Sequence, residues 1–352
     1  RVEAFIAVSG HDPWRVIGTA RPSGRDITIW SIAVNAVMAG CLPEVLPVLI
    51  ALAEIACDPG YGVEHSGNTT GADALIVIDG PVVGELGFNH GPGAMRDGAG
   101  AANTSVARWY RLYLRNVHGF TADEHDKATF GNASRVVLAE DQAALDEIGW
   151  PPLSAGFGHP AGTDAVTVAR MNGGLIIGSV FGSTPEQILD YLADGLVRVT
   201  GWELTHVYGL GQADYQPLLV LSPVLARIFG RAGWSKHDVR RALFDRARMP
   251  AWRFEHLIGE WSNLTAGRRT LVDLVADGAV PPVFAESNDP DRLVPIVTSP
   301  DKILIAVSGD PNRTNAYVLS NDGPHGRWTS RAIDRSYSTD LLCNIDDPGT
   351  CR

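Results

Sequence analysis

Cys41 and His90 are the residues whose type and surroundings best suit covalent or acid–base chemistry. Cys41 stands in Gly40-Cys-Leu-Pro-Glu44, where the Pro-Glu pair predicts a helix start with Cys41 at the capping position. The positive end of a helix lowers the pKa of a thiol, so Cys41 is predicted to be a nucleophile. The alternative is a small, buried and unreactive cysteine, which is the common state of free thiols.

His90 lies in a glycine-rich loop that opens onto a helix. Residues 87–105 read GFNHGPGAMRDGAGAANTS, and a helix is predicted from about residue 103 to residue 117. Free backbone N–H groups at such a junction suit a carboxylate or phosphate, and His90 would be the general base. The residues predicted to bind substrate here are Asn89, Arg96, Gly100, Asn103, Thr104 and Ser105. A plain surface loop is the alternative, because neither the P-loop pattern nor the dinucleotide fingerprint is present.

Three further candidates lie outside that loop. Glu140 follows the apolar run RVVLA at the end of a predicted strand, where open α/β sheets bind ligands, and is predicted to be catalytic. Ser183 and His206 are predicted to bind substrate. Ser183 also begins a predicted capping box, Ser183-Thr-Pro-Glu186.

We expect no metal site and no cofactor. The run Asp123-Glu-His-Asp126 resembles a metal cluster, but four consecutive side chains cannot easily point at one ion. A solvated, charged loop is therefore the preferred interpretation. The sequence lacks the motifs of zinc proteases, zinc fingers and serine hydrolases, and nothing in it demands a nicotinamide or a flavin.

A second capped helix is predicted from about residue 235 to residue 247, with Ser235 and Asp238 as its capping pair. Lys236 and His237 in its first turn are unusual beside the positive end of a helix. They indicate a nearby ligand or carboxylate, or else side chains exposed to solvent.

Two segment pairs at one offset predict an internal duplication. Residues 38–48 (MAGCLPEVLPV) align with residues 180–190 (VFGSTPEQILD), 142 positions later. Residues 74–83 (ALIVIDGPVV) resemble residues 217–226 (PLLVLSPVLA), and Pro81 falls on Pro223, again 142 positions later. We therefore predict an α/β fold of two similar lobes from this duplication, with mixed or parallel sheets covered by helices.

The predicted domain organisation follows the duplication. Its five parts are a helical arm (1–24), a first α/β repeat (25–120), a linker with an inserted segment (121–164), a second repeat (165–255) and a C-terminal helix, strand pair and tail (256–352). Strands are predicted at residues 74–78 and 218–221, and as a pair at residues 302–307 and 315–319. The N-terminal RVEAFIAVSG keeps helical spacing, whereas the similar KILIAVSGD has the pattern of a strand.

Composition narrows the function classes. A formal net charge of −11 argues against a nucleic-acid partner, because phosphate binding requires clustered Lys and Arg. The apolar stretch at residues 27–57 is long enough to span a membrane, but two prolines and two glutamates interrupt it, so a buried helix pair is predicted. Residues 1–20 contain no secretory signal, and four cysteines do not make a disulfide framework. We expect a soluble, cytoplasmic protein.

The chain resembles a largely uncharacterised bacterial family. The resemblance is carried by VNAVMAGCLPEVLPVLIA (34–51), IVIDGPVVGELGFN (76–89) and GWSKHDVRRALF (233–244), and it extends over about residues 1–320. It implies association with a small partner that bears a Cys- or selenocysteine-Gly-Ser-Cys motif, and it implies no particular reaction. The glycine loop departs from the family pattern Gly-Pro-Gly-x-x-Ala-Asn-Ala-Thr by its extra Gly and Ala residues.

Two functions from different classes are therefore expected. The first is an enzyme that acts on a small polar or carboxylate-bearing molecule by thiol or acid–base chemistry, with a lyase or hydratase favoured over a hydrolase. The second is a non-catalytic substrate-binding or structural subunit whose partner supplies the reactive thiol or selenol. In both cases the protein is expected to be an oligomer.

Overall fold

The computed structural model describes residues 1–96, 102–122, 124–132, 135–201, 203–204, 215–260, 270–321 and 327–337. Over these residues the protein is a mixture of helix and sheet, and the sheet contains both parallel and antiparallel pairs, which confirms the α/β prediction in its general form.

The helices and strands lie as follows. The α-helices are α1 Val2–Ser9, α2 Ile29–Ala39, α3 Leu46–Cys57, α4 Val82–Glu85, α5 Ala102–Tyr113, α6 Gln142–Ile148, α7 Pro185–Val199, α8 Pro223–Arg231, α9 Lys236–Arg246, α10 Ala251–Glu255 and α11 Leu271–Ala276. The strands are β1 Val16–Thr19, β2 Asp26–Thr28, β3 Asp73–Asp79, β4 Val136–Ala139, β5 Ala165–Ile177, β6 Leu218–Leu221, β7 Arg248–Pro250, β8 Leu293–Pro295, β9 Leu304–Val307, β10 Ala316–Asn321 and β11 Thr329–Ala332.

Contacts divide the chain into two compact units, each assembled from separate parts of the sequence. The first unit comprises Arg1–Ala139, Ser154–Val168 and Trp328–Arg352, and the second comprises Glu140–Leu153 and Ala169–Arg327. The five-part linear division predicted from the sequence remains a prediction.

The first unit places helices around a short run of sheet. β3 and β4 pair in parallel, with Ile78 opposite Ala139, and the start of β5 pairs with β11 in antiparallel register. The predicted buried helix pair is confirmed as α2 and α3. Both helices pack into the core, because α2 has no charged residue and α3 has only Glu54. Trp109 on α5 fixes the packing by donating its indole N–H to the Ile32 carbonyl over 3.1 Å.

The second unit contains the remainder of β5 with β10, β6 and β9. Strands were expected at residues 302–307 and 315–319, and β9 and β10 confirm both. The prediction that these two strands pair with each other is wrong, because β6 lies between them, antiparallel to β10 and parallel to β9. The sequence pattern locates an apolar strand but carries no information on its neighbour in the sheet.

The two predicted repeats agree in one segment and differ in another. Each has a strand followed by a proline-initiated helix, β3 with α4 and β6 with α8. The apolar segment before the first Gly-x-x-Pro-Glu sequence is helix α2, whereas its counterpart is strand β5. The internal duplication therefore remains a prediction.

Within the described residues, no helix combines the length and the apolar character needed to cross a bilayer.

Candidate functional site

The structure brings several of the predicted site residues together at the start of α5. The backbone N–H of Asn89 donates to the side-chain oxygen of Asn103 over 2.8 Å, and this contact holds the loop at residues 87–96 against the helix. Cys41 reaches the same turn through a hydrogen bond with Ser105. We call this arrangement of the loop, the first turn of α5 and Cys41 the loop–helix site.

Asn103 positions the loop rather than offering its amide to a ligand. Its side-chain NH2 group donates to the carbonyl of Asn89 at 3.1 Å and to that of Val137 at 3.0 Å, and its oxygen accepts from the Asn89 N–H. Both amide hydrogens are therefore used, and the side chain is buried. A buried amide that bridges a loop and a strand in this way contributes to the fold, and the substrate-binding role of Asn103 remains a prediction.

Thr104 and Ser105 face different surroundings on the same turn. Thr104 is exposed, while Ser105 is half-buried and donates its hydroxyl to the Ala102 carbonyl over 3.0 Å. Thr104 therefore offers the more accessible hydroxyl of the two.

His90 and Arg96 belong to the loop itself. His90 is half-buried and Arg96 is exposed. The backbone N–H of Arg96 donates to the carbonyl of Gly93, closing a turn in which Gly93 has a φ of 73°, a conformation that glycine adopts without strain. Asn89 supports the loop from inside, since its side chain accepts from Gly91 N–H at 2.9 Å and donates to the Pro92 carbonyl.

Cys41 is buried and is not a helix cap. Its N–H donates to the Ala36 carbonyl, and Gly40, with a φ of 83°, ends α2 in the left-handed conformation. Leu42 is the residue that precedes the short helical turn Pro43–Val45. The predicted capping position is therefore wrong, and Cys41 follows the negative end of α2 instead of preceding a positive one.

Burial raises the pKa of the Cys41 thiol to about 11, and the hydrogen bond with Ser105 lowers it only in part. A thiol with such a pKa is almost entirely protonated at neutral pH, and the thiol form is a poor nucleophile. The structure thus supports the inert alternative for Cys41.

Ser183 does not cap α7. Thr184 is the N-cap residue, and no side chain caps the helix; Ser183 instead donates its backbone N–H to the side-chain oxygen of Gln187 over 2.8 Å. The predicted capping box of Ser183 with Glu186 is therefore wrong. The local sequence fits a capping box, but the backbone N–H of Ser183 is bound by Gln187, the residue after the predicted partner Glu186.

Glu140 follows β4 as predicted, but its carboxylate is buried and engaged. It accepts backbone hydrogen bonds from Leu153 and, over 3.1 Å, from Val307, and Lys236 Nζ lies 3.6 Å from its Oε1. A carboxylate with these partners holds distant segments together, and Glu140 is only 1% exposed. These contacts support a structural role for Glu140, and its catalytic role remains a prediction.

The second capped helix is confirmed as α9, with a reciprocal pair of hydrogen bonds between Ser235 and Asp238. Of the two cationic residues in its first turn, Lys236 is buried beside the Glu140 carboxylate, and His237 is exposed. The nearby carboxylate was thus the right interpretation for Lys236, and solvent exposure was right for His237.

Two predicted binding residues, Gly100 and His206, lie outside the described residues, as does Asp123 of the acidic run. Among the residues that the structure does describe, no three His, Cys, Asp or Glu side chains are grouped so that they could hold a metal ion.

Sequence reasoning missed a groove of about 730 Å³ in the first unit. Its charged lining residues are Arg108, Arg111, Arg115, Arg135, Glu124 and Asp126. The signal was present in the sequence, because positions 108, 111 and 115 recur at helical spacing and place three guanidinium groups on one face of α5 and the turn after it. We call this feature the arginine groove.

No protein-family model matches the chain, and no curated protein matches it significantly. A function for the protein therefore has to be derived from the geometry of its own residues.

Proposed function

We propose that the protein is an enzyme of the lyase or hydratase class that acts on a small carboxylate-bearing molecule at the loop–helix site. The observation that carries this proposal is the position of His90, a half-buried imidazole in a loop that Asn89 and Asn103 hold against the first turn of α5. A loop fixed to a rigid helix is where catalytic side chains are commonly presented.

Acid–base chemistry is favoured over thiol chemistry at this site. The raised pKa of Cys41 leaves almost no thiolate at neutral pH. Histidine is the side chain that most often transfers protons in catalysis, so His90 is the better group to accept and return a proton. Cys41 then serves to pack the site and to hold Ser105.

The proposed reaction uses one base. His90 removes a proton from the carbon beside the substrate carboxylate, and the electron pair forms a double bond as a leaving group departs from the next carbon with its own electron pair. In the lyase direction the imidazolium gives its proton to the departing group, which restores the neutral base. In the hydratase direction His90 takes a proton from water as the hydroxyl adds to the double bond, and the imidazolium then gives that proton to the carbon beside the carboxylate. Arg96 and the exposed hydroxyl of Thr104 would bind the carboxylate.

The test is an activity screen with a matched pair of histidine variants. The purified protein is assayed against a panel of 2- and 3-hydroxycarboxylates and their unsaturated counterparts, following the ultraviolet absorbance of the conjugated double bond. We expect His90→Gln to abolish turnover with an unchanged Tm. His237→Gln, at an exposed position of α9, should retain full activity. Full activity in His90→Gln would refute the proposed role of His90.

A second candidate is the binding subunit whose partner supplies the reactive thiol or selenol, the role implied by the resemblance. The inert state of Cys41 favours it, since any thiol chemistry at this site would need an outside sulfur or selenium. Exposed apolar side chains also favour a partner. The rings of Trp14 and Trp30 stack with their centroids 5.6 Å apart, and Met38, further along α2, is exposed as well.

This second candidate is tested with a fluorescent peptide that contains Cys-Gly-Ser-Cys. Saturable binding that Trp30→Ala weakens and Trp252→Ala leaves unchanged would support it, because both tryptophans are about equally exposed, at 38% and 42%. Sedimentation of the unliganded protein in the same buffer measures whether it forms the expected oligomer.

A further inference from the structure

We infer that the arginine groove is a binding site for a small organic polyanion, a molecule with two or more carboxylate or phosphate groups. This site is separate from the acid–base chemistry proposed for His90 and does not depend on it. None of the residues that define the loop–helix site lines the arginine groove.

The groove follows the polar face of one helix. Arg108 and Arg111 lie on α5, and Arg115 lies on the π-helical turn Leu114–His118 that continues it. At a rise of 1.5 Å per residue, Arg108 and Arg115 are about 10 Å apart along the axis. Arg135, at the start of the segment that forms β4, completes the lining from another part of the chain.

The charge of the groove opposes that of the protein. Among the described residues its lining carries four guanidinium groups against two carboxylates, Glu124 and Asp126. With Asp73 beside Arg135 counted as well, a local excess of one positive charge remains in a chain of net charge −11. A basic cluster on an acidic protein needs a reason, because exposed like charges on one helix face repel each other.

Two of the four arginines are held in place by acidic partners. Arg111 forms an ion pair with Asp126 at 2.5 Å, and Arg135 lies 3.6 Å from Asp73. Such pairing restrains each guanidinium, so less side-chain entropy is lost when an anion binds.

The other two arginines are the ones that a ligand would engage. Arg108 and Arg115 are exposed, and neither makes an ion pair or hydrogen bond with any residue in the described part of the chain. Phe120 and Leu112 form an apolar wall beside them, which excludes water on one side and strengthens charge-assisted hydrogen bonds.

The dimensions select the class of ligand. Arginine binds planar carboxylates and tetrahedral phosphates through two parallel N–H donors, and two long, exposed arginine side chains two helical turns apart can each bind one anionic group of the same small molecule. A nucleic acid would need a longer basic track than a single groove on a protein of this charge.

Isothermal titration calorimetry with two probes, citrate and tripolyphosphate, tests this site at matched ionic strength. We expect saturable 1:1 binding of at least one probe to the wild-type protein. Tighter binding of citrate would identify carboxylates as the preferred groups, and tighter binding of tripolyphosphate would identify phosphates.

The variant Arg108→Gln/Arg115→Gln should bind the preferred probe at least tenfold more weakly. The matched control is Arg231→Gln/Arg241→Gln, which removes the same charge from exposed positions in the second unit and should leave the Kd within twofold of wild type. Equal weakening in both double variants, or no saturable binding by the wild type, would overturn the proposal. Circular dichroism verifies that both variants are folded.

Discussion

Lys236 Nζ lies 3.6 Å from Glu140 Oε1, and both side chains are buried. Lys236 is the first residue of α9, where the helix dipole disfavours a positive charge. The Glu140 carboxylate offsets this effect, and it also accepts backbone hydrogen bonds from Leu153 and Val307. The pair therefore holds three separate segments of the second unit around one carboxylate.

Removing the Glu140 charge is predicted to destabilise the protein strongly. Glu140→Gln leaves the Lys236 ammonium buried without its carboxylate, and breaking a buried pair in this way typically costs about 3–5 kcal/mol. We expect urea unfolding to show a loss of about 3 kcal/mol. The double variant Glu140→Gln/Lys236→Met should lose less than the two single changes added together.

The matched control for this prediction is a surface ion pair. Arg227 and Glu147 lie 2.8 Å apart, with Glu147 about half exposed. Glu147→Gln should reduce the free energy of unfolding by less than about 1 kcal/mol, because exposed pairs contribute little. Equal losses in Glu140→Gln and Glu147→Gln would contradict the structural role of Glu140.

Two serines that look alike in sequence should respond differently to alanine. Ser235 accepts a capping hydrogen bond from the Asp238 N–H over 3.2 Å, so Ser235→Ala is expected to cost about 1 kcal/mol. Ser183 makes no cap, so Ser183→Ala should change stability by less than about 0.5 kcal/mol. Chemical denaturation of the two variants measures both values, and a larger loss in Ser183→Ala would restore the capping box.

Cys41 is predicted to resist alkylation in the folded protein. A buried thiol whose pKa is raised to about 11 provides very little thiolate at neutral pH. Peptide mapping after iodoacetamide treatment should find Cys41 unmodified in the native protein and modified in urea. Labelling of native Cys41 at the rate of a small free thiol would bring back the nucleophile hypothesis.

The same burial predicts a loss of stability in alkali. The folded-state pKa of Cys41, about 11, lies above its ordinary value of 9.0, so folding favours the protonated thiol. This contribution is fully present below pH 9 and is lost as the pH rises towards 11, an effect of roughly 2–3 kcal/mol. Urea unfolding at pH 8 and at pH 11 should show a smaller decrease in Cys41→Ala than in the wild type.

Asn103 is predicted to matter for folding more than its neighbour Thr104. Asn103→Ala removes three hydrogen bonds and leaves the carbonyls of Asn89 and Val137 without this donor, so we expect a loss of about 2–3 kcal/mol. Thr104→Ala changes an exposed side chain and should be nearly neutral. Thermal unfolding of both variants tests this difference, and similar Tm values would argue against the positioning role of Asn103.

Part of the site could be predicted because its signal is local. The glycine loop, the start of α5 and the end of β4 each follow from periodicity and turn residues within a window of about ten positions. The contacts of Cys41 with Ser105 and of Asn89 with Asn103 join residues 64 and 14 positions apart. Periodicity carries no information on such contacts, so the sequence could not show that Asn103 and Cys41 also make contacts that hold the fold together.

The pentapeptide Ile-Ala-Val-Ser-Gly shows what the sequence by itself determined. It occurs at residues 6–10 at the end of α1 and at residues 305–309 at the end of β9, and the flanking residues alone predicted helix for the first and strand for the second. Helical and strand periodicities extend over the neighbouring residues, so a short identical core takes its conformation from them. The cap of α9 could also be predicted, because its hydrogen bonds join Ser235 and Asp238, which are close in the sequence.

Tertiary structure decided which polar groups are free to react. The pKa of Cys41 and the pairing of Glu140 with Lys236 both depend on burial, which arises when segments far apart in the chain pack together. Desolvation and ion pairing act through space and leave no trace in residue spacing. Residue types therefore indicated which side chains could do chemistry, and packing determined that Cys41 and Glu140 stabilise the fold while the imidazole of His90 is left half-buried in its loop.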